Sequence, residues 1–166
     1  MKILVPNKSG IKVFISHKNV DSEEALQLKR AFEQNRVHAY LDVADTHIAA
    51  GGKALTDYIK KQLNLCTDII VLMTSSTEKS WWVPFEIGLA AQTNMPTATF
   101  LRSNKPLPSY LSYWPRLKTV KDIAKYVSVR KNVKSLILGS YKGYSENDRR
   151  KKETELFYES LKRELR

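Results

Sequence analysis

Glu86 is the residue around which chemistry could be organised. It lies four residues after Trp82 in Ser80-Trp81-Trp82-Val83-Pro84-Phe85-Glu86-Ile87-Gly88, an otherwise apolar stretch. Burying such a carboxylate unpaired would cost on the order of several kcal/mol, so charge or chemistry must account for it. Two readings are open. Pro84 suits a first helical turn, where its missing N–H is no loss, and a Glu there complements the helix dipole. On the other reading the group reacts. Ordinary glycoside hydrolysis needs two carboxylates, because the alkoxide leaving group must be protonated. An N-glycosidic bond to a nicotinamidium is different, since the leaving group departs as a neutral pyridine. One ionised carboxylate then suffices, by holding the ribose hydroxyls and stabilising oxocarbenium charge, or by nucleophilic attack. The helix start would keep Glu86 ionised. Trp82 offers a stacking face to the same pocket, with core packing as the competing reading for Trp81 and Trp82.

Other familiar sites lack their residues. No G-x-G-x-x-G follows the first predicted strand, and Gly51-Gly52-Lys53 lacks the spacing of a phosphate-binding loop. His17, His38 and His47 show no metal-ligand spacing, and the single cysteine cannot complete a set; no metal site is expected. Ser16 and His17 are adjacent, which disfavours a nucleophile–base pair at one strand end.

These groups need elements to position them, and the apolar patterning supplies a regular alternation. Ile11–Ile15, Val37–Leu41, Asp68–Met73 and Thr97–Leu101 read as strands, the third apolar after Asp68 and so buried on both faces. Helices are predicted from an Asp21 N-cap to Gln34, with Glu24 completing a capping box, then over 53–63 and from the Trp82–Glu86 segment to Asn94. Beyond a proline-punctuated loop at 106–115, a short strand at 117–120 precedes a helix from Asp122. Alternating β and α elements imply a parallel sheet with helices on both faces, an α/β three-layer architecture. Ligands of such sheets bind outside the carboxyl ends of the strands. Ser16-His17, Asp42 and Thr74-Ser75-Ser76 all fall at those ends. The charged segment 146–166, with Leu156, Phe157, Leu161 and Leu165 as a thin apolar stripe, reads as a final helix. It either packs on the domain or aids self-association, giving a division into 1–144 and 145–166.

The chain has 166 residues, a length suited to one domain. No apolar run approaches the ~20 residues that span a bilayer, and Met1–Pro6 is too short an apolar patch for a signal peptide. With Cys66 alone, no intrachain disulfide can form. These features lead us to expect a cytoplasmic protein without a membrane partner. The formal net charge is +11, of which residues 101–144 supply +9, with ten basic residues against Asp122. Tyr110, Tyr113, Trp114, Tyr126, Tyr141 and Tyr144 are interleaved there. Such a region can attract phosphate or nucleic acid, but a solvated face is the commoner outcome, and nucleic acid is not the expected partner. Lys121, Lys125, Arg130 and Lys131 are expected to tune assembly or phosphate attraction.

Three stretches together resemble a known family. Lys12-Val13-Phe14-Ile15-Ser16-His17, then Tyr40-Leu41-Asp42-Val43, then Ser80-x-Trp82-Val83-x-x-Glu86-Ile87-Gly88-x-Ala90 are similar, in order, to the boxes of Toll/interleukin-1 receptor (TIR) domains, specifically the bacterial branch that cleaves NAD. The similarity covers about residues 10–130. It implies a flavodoxin-like fold and cleavage of NAD⁺, as substrate rather than cofactor, to nicotinamide plus linear, cyclic or conjugated ADP-ribose. It implies Glu86 as the catalytic residue, with Phe14, Ser16, His17, Lys18, Asp42 and Trp82 around the substrate. It further implies an antiphage role, self-association through the 43–52 loop, and a separate effector protein to sense any nucleotide signal. That loop, Asp45-Thr46-His47-Ile48-Ala49-Ala50, departs from the loop of any one subgroup. Two other readings remain: a non-enzymatic interaction module acting by homotypic assembly, and an enzyme similar to nucleoside deoxyribosyltransferases.

Overall fold

The apolar, β-branched runs form strands wherever they were predicted, with ends shifted by at most one residue, except that the last strand ends at Leu117, three residues before its expected end. In the computed structural model, which describes residues 10–41, 52–80, 82–102, 106–107, 109–140 and 142–166, the strands are β1 (Lys12–Ser16), β2 (His38–Leu41), β3 (Asp68–Met73), β4 (Thr97–Leu101) and β5 (Arg116–Leu117). They pair in parallel in the order β2-β1-β3-β4-β5, which is the flavodoxin-like arrangement. Central β3 is buried at every position, as its apolar run requires. The helices are α1 (Ser22–Gln34), α2 (Gly52–Leu65), α3 (Trp82–Gln92), α4 (Val120–Ser140) and α5 (Glu146–Glu164).

Strand side chains alternate between faces, and here the alternation sorts the core into two halves. Val13, Ile15, Ile70, Leu72, Ala98 and Phe100 pack with α1, α4 and α5. Phe14, Ile69, Val71 and Met73 pack with α2 and α3. The result is a three-layer α/β fold.

Two helix starts differ from the pattern-based expectation. Asp21 precedes α1 but makes no side-chain cap bond; its carboxylate is engaged elsewhere, as described below. The helix expected from Asp122 begins two residues earlier. Asp122 Oδ2 accepts from the Lys118 and Thr119 amides, both at 2.9 Å, while Thr119 Oγ1 accepts from the Asp122 amide at 3.4 Å. This reciprocal cap makes Asp122 the third residue of α4. Burial raises its pKa, but the two amide bonds, together with the Thr119 side chain and the Lys125 charge, more than offset this and lower it.

The basic character of α4 also needs correction. Arg130 is 4% exposed, not part of a solvated face. Its Nε donates to Asp68 Oδ1 at 2.6 Å and a terminal nitrogen to Glu153 at 2.6 Å, with the guanidinium 5.2 Å from the Phe157 ring centroid. Asp68 is fully buried at the start of β3, and its Oδ1 also accepts from Tyr126 Oη at 2.6 Å. Burial, then the Asp68 charge, push the Tyr126 phenol well above its ordinary range. Burial opposes the Arg130 charge, but Asp68 and Glu153 more than offset this and hold it protonated. Lys125 is likewise committed: its Nζ donates to the Glu164 carbonyl at 2.9 Å, a cation at the C-terminus of α5. Lys121 and Lys131 are exposed.

Helix α5 closes one half of the core. Phe157 and Leu161 are fully buried, Thr154 Oγ1 donates to the Asn94 carbonyl at 2.8 Å, and Tyr158 Oη accepts from the Thr97 amide at 2.9 Å. Burial pushes the Tyr158 pKa up to about 12, against the lowering effect of the Thr97 bond. The folded value lies above the unfolded one, near 10. Stability from this group is therefore fully present below pH ~10 and is lost as pH rises toward ~12. Urea midpoints measured across that window are expected to fall with pH, and to fall less steeply in Tyr158→Phe.

Candidate functional site

In a 2-1-3-4-5 sheet the chain leaves β1 toward one edge and β3 toward the other, opening a crevice at their carboxyl ends. Ser16 is the last residue of β1, in register with Val71 of β3. By the two-residue alternation it shares a face with Phe14, the side covered by α2 and α3.

On α3 the buried positions are Val83, Glu86, Ile87 and Ala90. Their spacing is that of one helical stripe, and it faces the sheet. Glu86 thus occupies one of four inward positions, the other three being apolar. It is the fifth residue of α3, past the first turn where the helix dipole acts most strongly. The helix-start account of this carboxylate is therefore corrected: an inward position, not the dipole, explains where it sits. Ser16 Oγ donates a hydrogen bond to Glu86 Oε2, and both residues are 0% exposed. Away from competing water, a hydroxyl-to-carboxylate bond is of the stronger, charge-assisted kind.

The other expected residues are distributed around this pair. Trp82 lies one turn before Glu86, half-buried, with its ring edge-on to Phe85 at a centroid distance of 5.9 Å. His17 is buried, with Nδ1 3.3 Å from the Ile15 carbonyl. That contact is a hydrogen bond when Nδ1 carries the proton, which makes Nε2 the acceptor of the neutral ring. Lys18 is half-buried and its carbonyl accepts from the Asp21 amide at 2.8 Å. Phe14 packs in the core beneath, 1% exposed. Asp42 and the loop through Gly51, together with Trp81, lie outside the described residues.

A second polar cluster at the same edge joins Thr74, expected there, to Asp21, which was expected only as a helix cap. Asp21, 7% exposed, accepts a hydrogen bond from Thr74 Oγ1 at 2.6 Å. Thr74 Oγ1 in turn accepts from the Ser76 amide at 3.0 Å, and Thr77 Oγ1 donates to the Leu72 carbonyl at 2.9 Å. The segment after β1 is thereby tied to the segment leading from β3 to α3. Thr74-Ser75-Ser76 was expected at this edge, but its bond to Asp21 was not, because an aspartate before a helix fits a cap equally well.

Chemically, the edge offers the enclosed Glu86 carboxylate bonded to the Ser16 hydroxyl, an indole on the same helix, a histidine next to that hydroxyl, and the Asp21 carboxylate engaged by Thr74. Among the described residues no group of three or more His, Cys, Asp or Glu could hold a metal ion, and no helix is long and apolar enough to cross a membrane. No curated protein matches the sequence. The sequence model of the TIR domain family matches residues 13–131, well over half of the chain.

Proposed function

The chain belongs to the TIR domain family, and from that premise we propose that it cleaves the nicotinamide N-glycosidic bond of NAD⁺. The observation that carries this reading is the Glu86 carboxylate on the inward stripe of α3, bonded to Ser16 at the carboxyl end of β1. The bond from the ribosyl anomeric carbon to the pyridinium nitrogen breaks with its electron pair moving onto the nitrogen. Nicotinamide leaves neutral, and positive charge develops across the anomeric carbon and ring oxygen. Glu86 opposes that charge with its own, in a setting of low dielectric where the interaction is strong. Water, or a nucleophile within the substrate or from a second molecule, then captures the ribosyl group to give linear, cyclic or conjugated ADP-ribose. Trp82 serves as a stacking face, with Ser16 beside Glu86, His17 and Lys18 flanking it and Phe14 as floor, and Asp42 is a further expected substrate contact. Bacterial antiphage defence in the cytoplasm, self-association through residues 43–52 and a separate protein that senses the product complete the proposal.

One observation favours a second reading, an interaction module without chemistry. Glu86 and Ser16 have no exposed surface in the single chain, so a nucleotide reaches the carboxylate only if the chain opens or assembles. The two readings separate in one experiment: incubate the protein with NAD⁺ over a range of concentrations and crowding, and identify all products by mass. Nicotinamide release whose rate per chain rises with concentration is the expected result. Assembly without any release of nicotinamide would leave the interaction module. Base exchange on deoxynucleosides, with indifference to NAD⁺, would instead indicate deoxyribosyl transfer.

A further inference from the structure

The geometry points to Ser16 as the positioning residue of Glu86, acting on the carboxylate rather than on the substrate. The inference rests on the reading of Glu86 as the catalytic group and goes one step further, to what fixes its reacting oxygens. A glutamate on a helix has three side-chain torsions to settle, and the last, about the carboxylate, is broad and roughly two-fold. One hydrogen bond to a defined oxygen removes that freedom. Ser16 Oγ provides it, reaching Oε2 across 70 positions of sequence.

A serine hydroxyl has a single O–H to donate. In this structure that donor is committed to Glu86, and Ser16 is fully buried. It therefore has no proton to offer a ribose hydroxyl or a phosphate while the carboxylate is ionised. Its own position is well determined: the β1–β3 ladder pairs Ser16 with Val71, and beyond the strand the Asp21–Thr74 bond ties the same two chain segments again. The residue that orients Glu86 thus belongs to the rigid sheet, while Glu86 belongs to a helix laid across it.

A positioning role and a substrate contact differ in kinetics. A residue that orients the catalytic group acts in the transition state and lowers kcat, whereas one that binds substrate in ground and transition state alike raises KM. For Ser16→Ala in the full chain, kcat for nicotinamide release is expected to fall about 10- to 100-fold, the scale of an ångström-sized misplacement, with KM changed less than about threefold. Ser16→Cys, whose thiol is a weaker donor, is expected to fall in between. A raised KM with unchanged kcat, or wild-type kinetics in Ser16→Ala, would overturn the proposal.

A readout that needs no activity runs beside it. Thermal midpoints of Ser16→Ala, Glu86→Leu, which removes the acceptor, and the double variant form a cycle. The shift in the double variant is expected to differ from the sum of the single shifts; additive shifts would show that the two side chains do not act on each other and would overturn the proposal. Non-additive shifts in a protein that releases no nicotinamide would leave Ser16 fixing Glu86, while the proposed chemistry, and with it the kinetic role, would fall. Circular dichroism of each variant separates these outcomes from loss of fold.

Discussion

Glu86→Gln is expected to cut nicotinamide release from NAD⁺ by about 10²- to 10³-fold, the scale of losing one preorganised electrostatic group from an active site, while the protein stays folded. Glutamine matches glutamate in shape, and its carbonyl oxygen can accept the Ser16 hydroxyl as Oε2 does. What disappears is the negative charge. Glu86 is fully buried, and a neutral amide is less costly to enclose than an ionised carboxylate, so the thermal midpoint should hold or rise. Loss of activity with retained stability is a pairing that a merely structural glutamate would not produce. Nicotinamide quantified by mass, beside a thermal melt of the same preparation, checks both halves. Retention of activity within about tenfold of wild type would remove Glu86 from the chemistry.

The largest effect on stability is expected from Arg130→Met, at about 3–5 kcal/mol, the loss typical of breaking a buried ion pair from one side. Asp68 would keep its carboxylate at a fully buried position, with the Tyr126 hydroxyl but without the guanidinium. Urea denaturation should show the midpoint falling sharply. The remedy is as informative as the damage. Removing the buried Asp68–Arg130 pair and its dependent hydroxyl together, as Asp68→Leu/Arg130→Met/Tyr126→Phe, should recover most of the loss, since apolar replacements of buried pairs are often neutral or better and Glu153, the remaining partner, reaches solvent. A triple variant as unstable as the single one would mean that packing around Phe157, not the uncompensated charge, is what Arg130→Met disturbs.

Much of the fold was legible because it depends on local pattern. The run Ile69-Ile70-Val71-Leu72-Met73 can only be a strand buried on both faces, and the alternation that follows from it sorts the entire core. The family was legible from three short boxes, and the family's sequence model spans the same region. Arg130 was not. In a helix with Lys121, Lys125, Lys131 and Lys134 around it, one more cation looks solvated, and its partner Asp68 lies 62 positions away. Only the packing of α4 over the start of β3 reveals the pair. Asp21 failed for a related reason. An aspartate before a helix fits a cap, but Thr74 reaches it from another strand and takes the carboxylate. At the candidate site, the sequence placed Ser16 at a strand end and Glu86 on a helix. That they touch follows from Ser16 sharing the α3 side of the sheet with Phe14, a consequence of register that one-dimensional pattern does not contain.

The stretch shared with the family ends at residue 131, yet the core does not. Phe157 and Leu161 fill it from α5, and the first amide of β4 is held by Tyr158. A fragment cut back to the family stretch would therefore lose α5 and the end of α4 from one face of the sheet. Glu86 lies under the opposite face, with α2 and α3, so the helix beyond the family stretch supports the site only through the sheet between them.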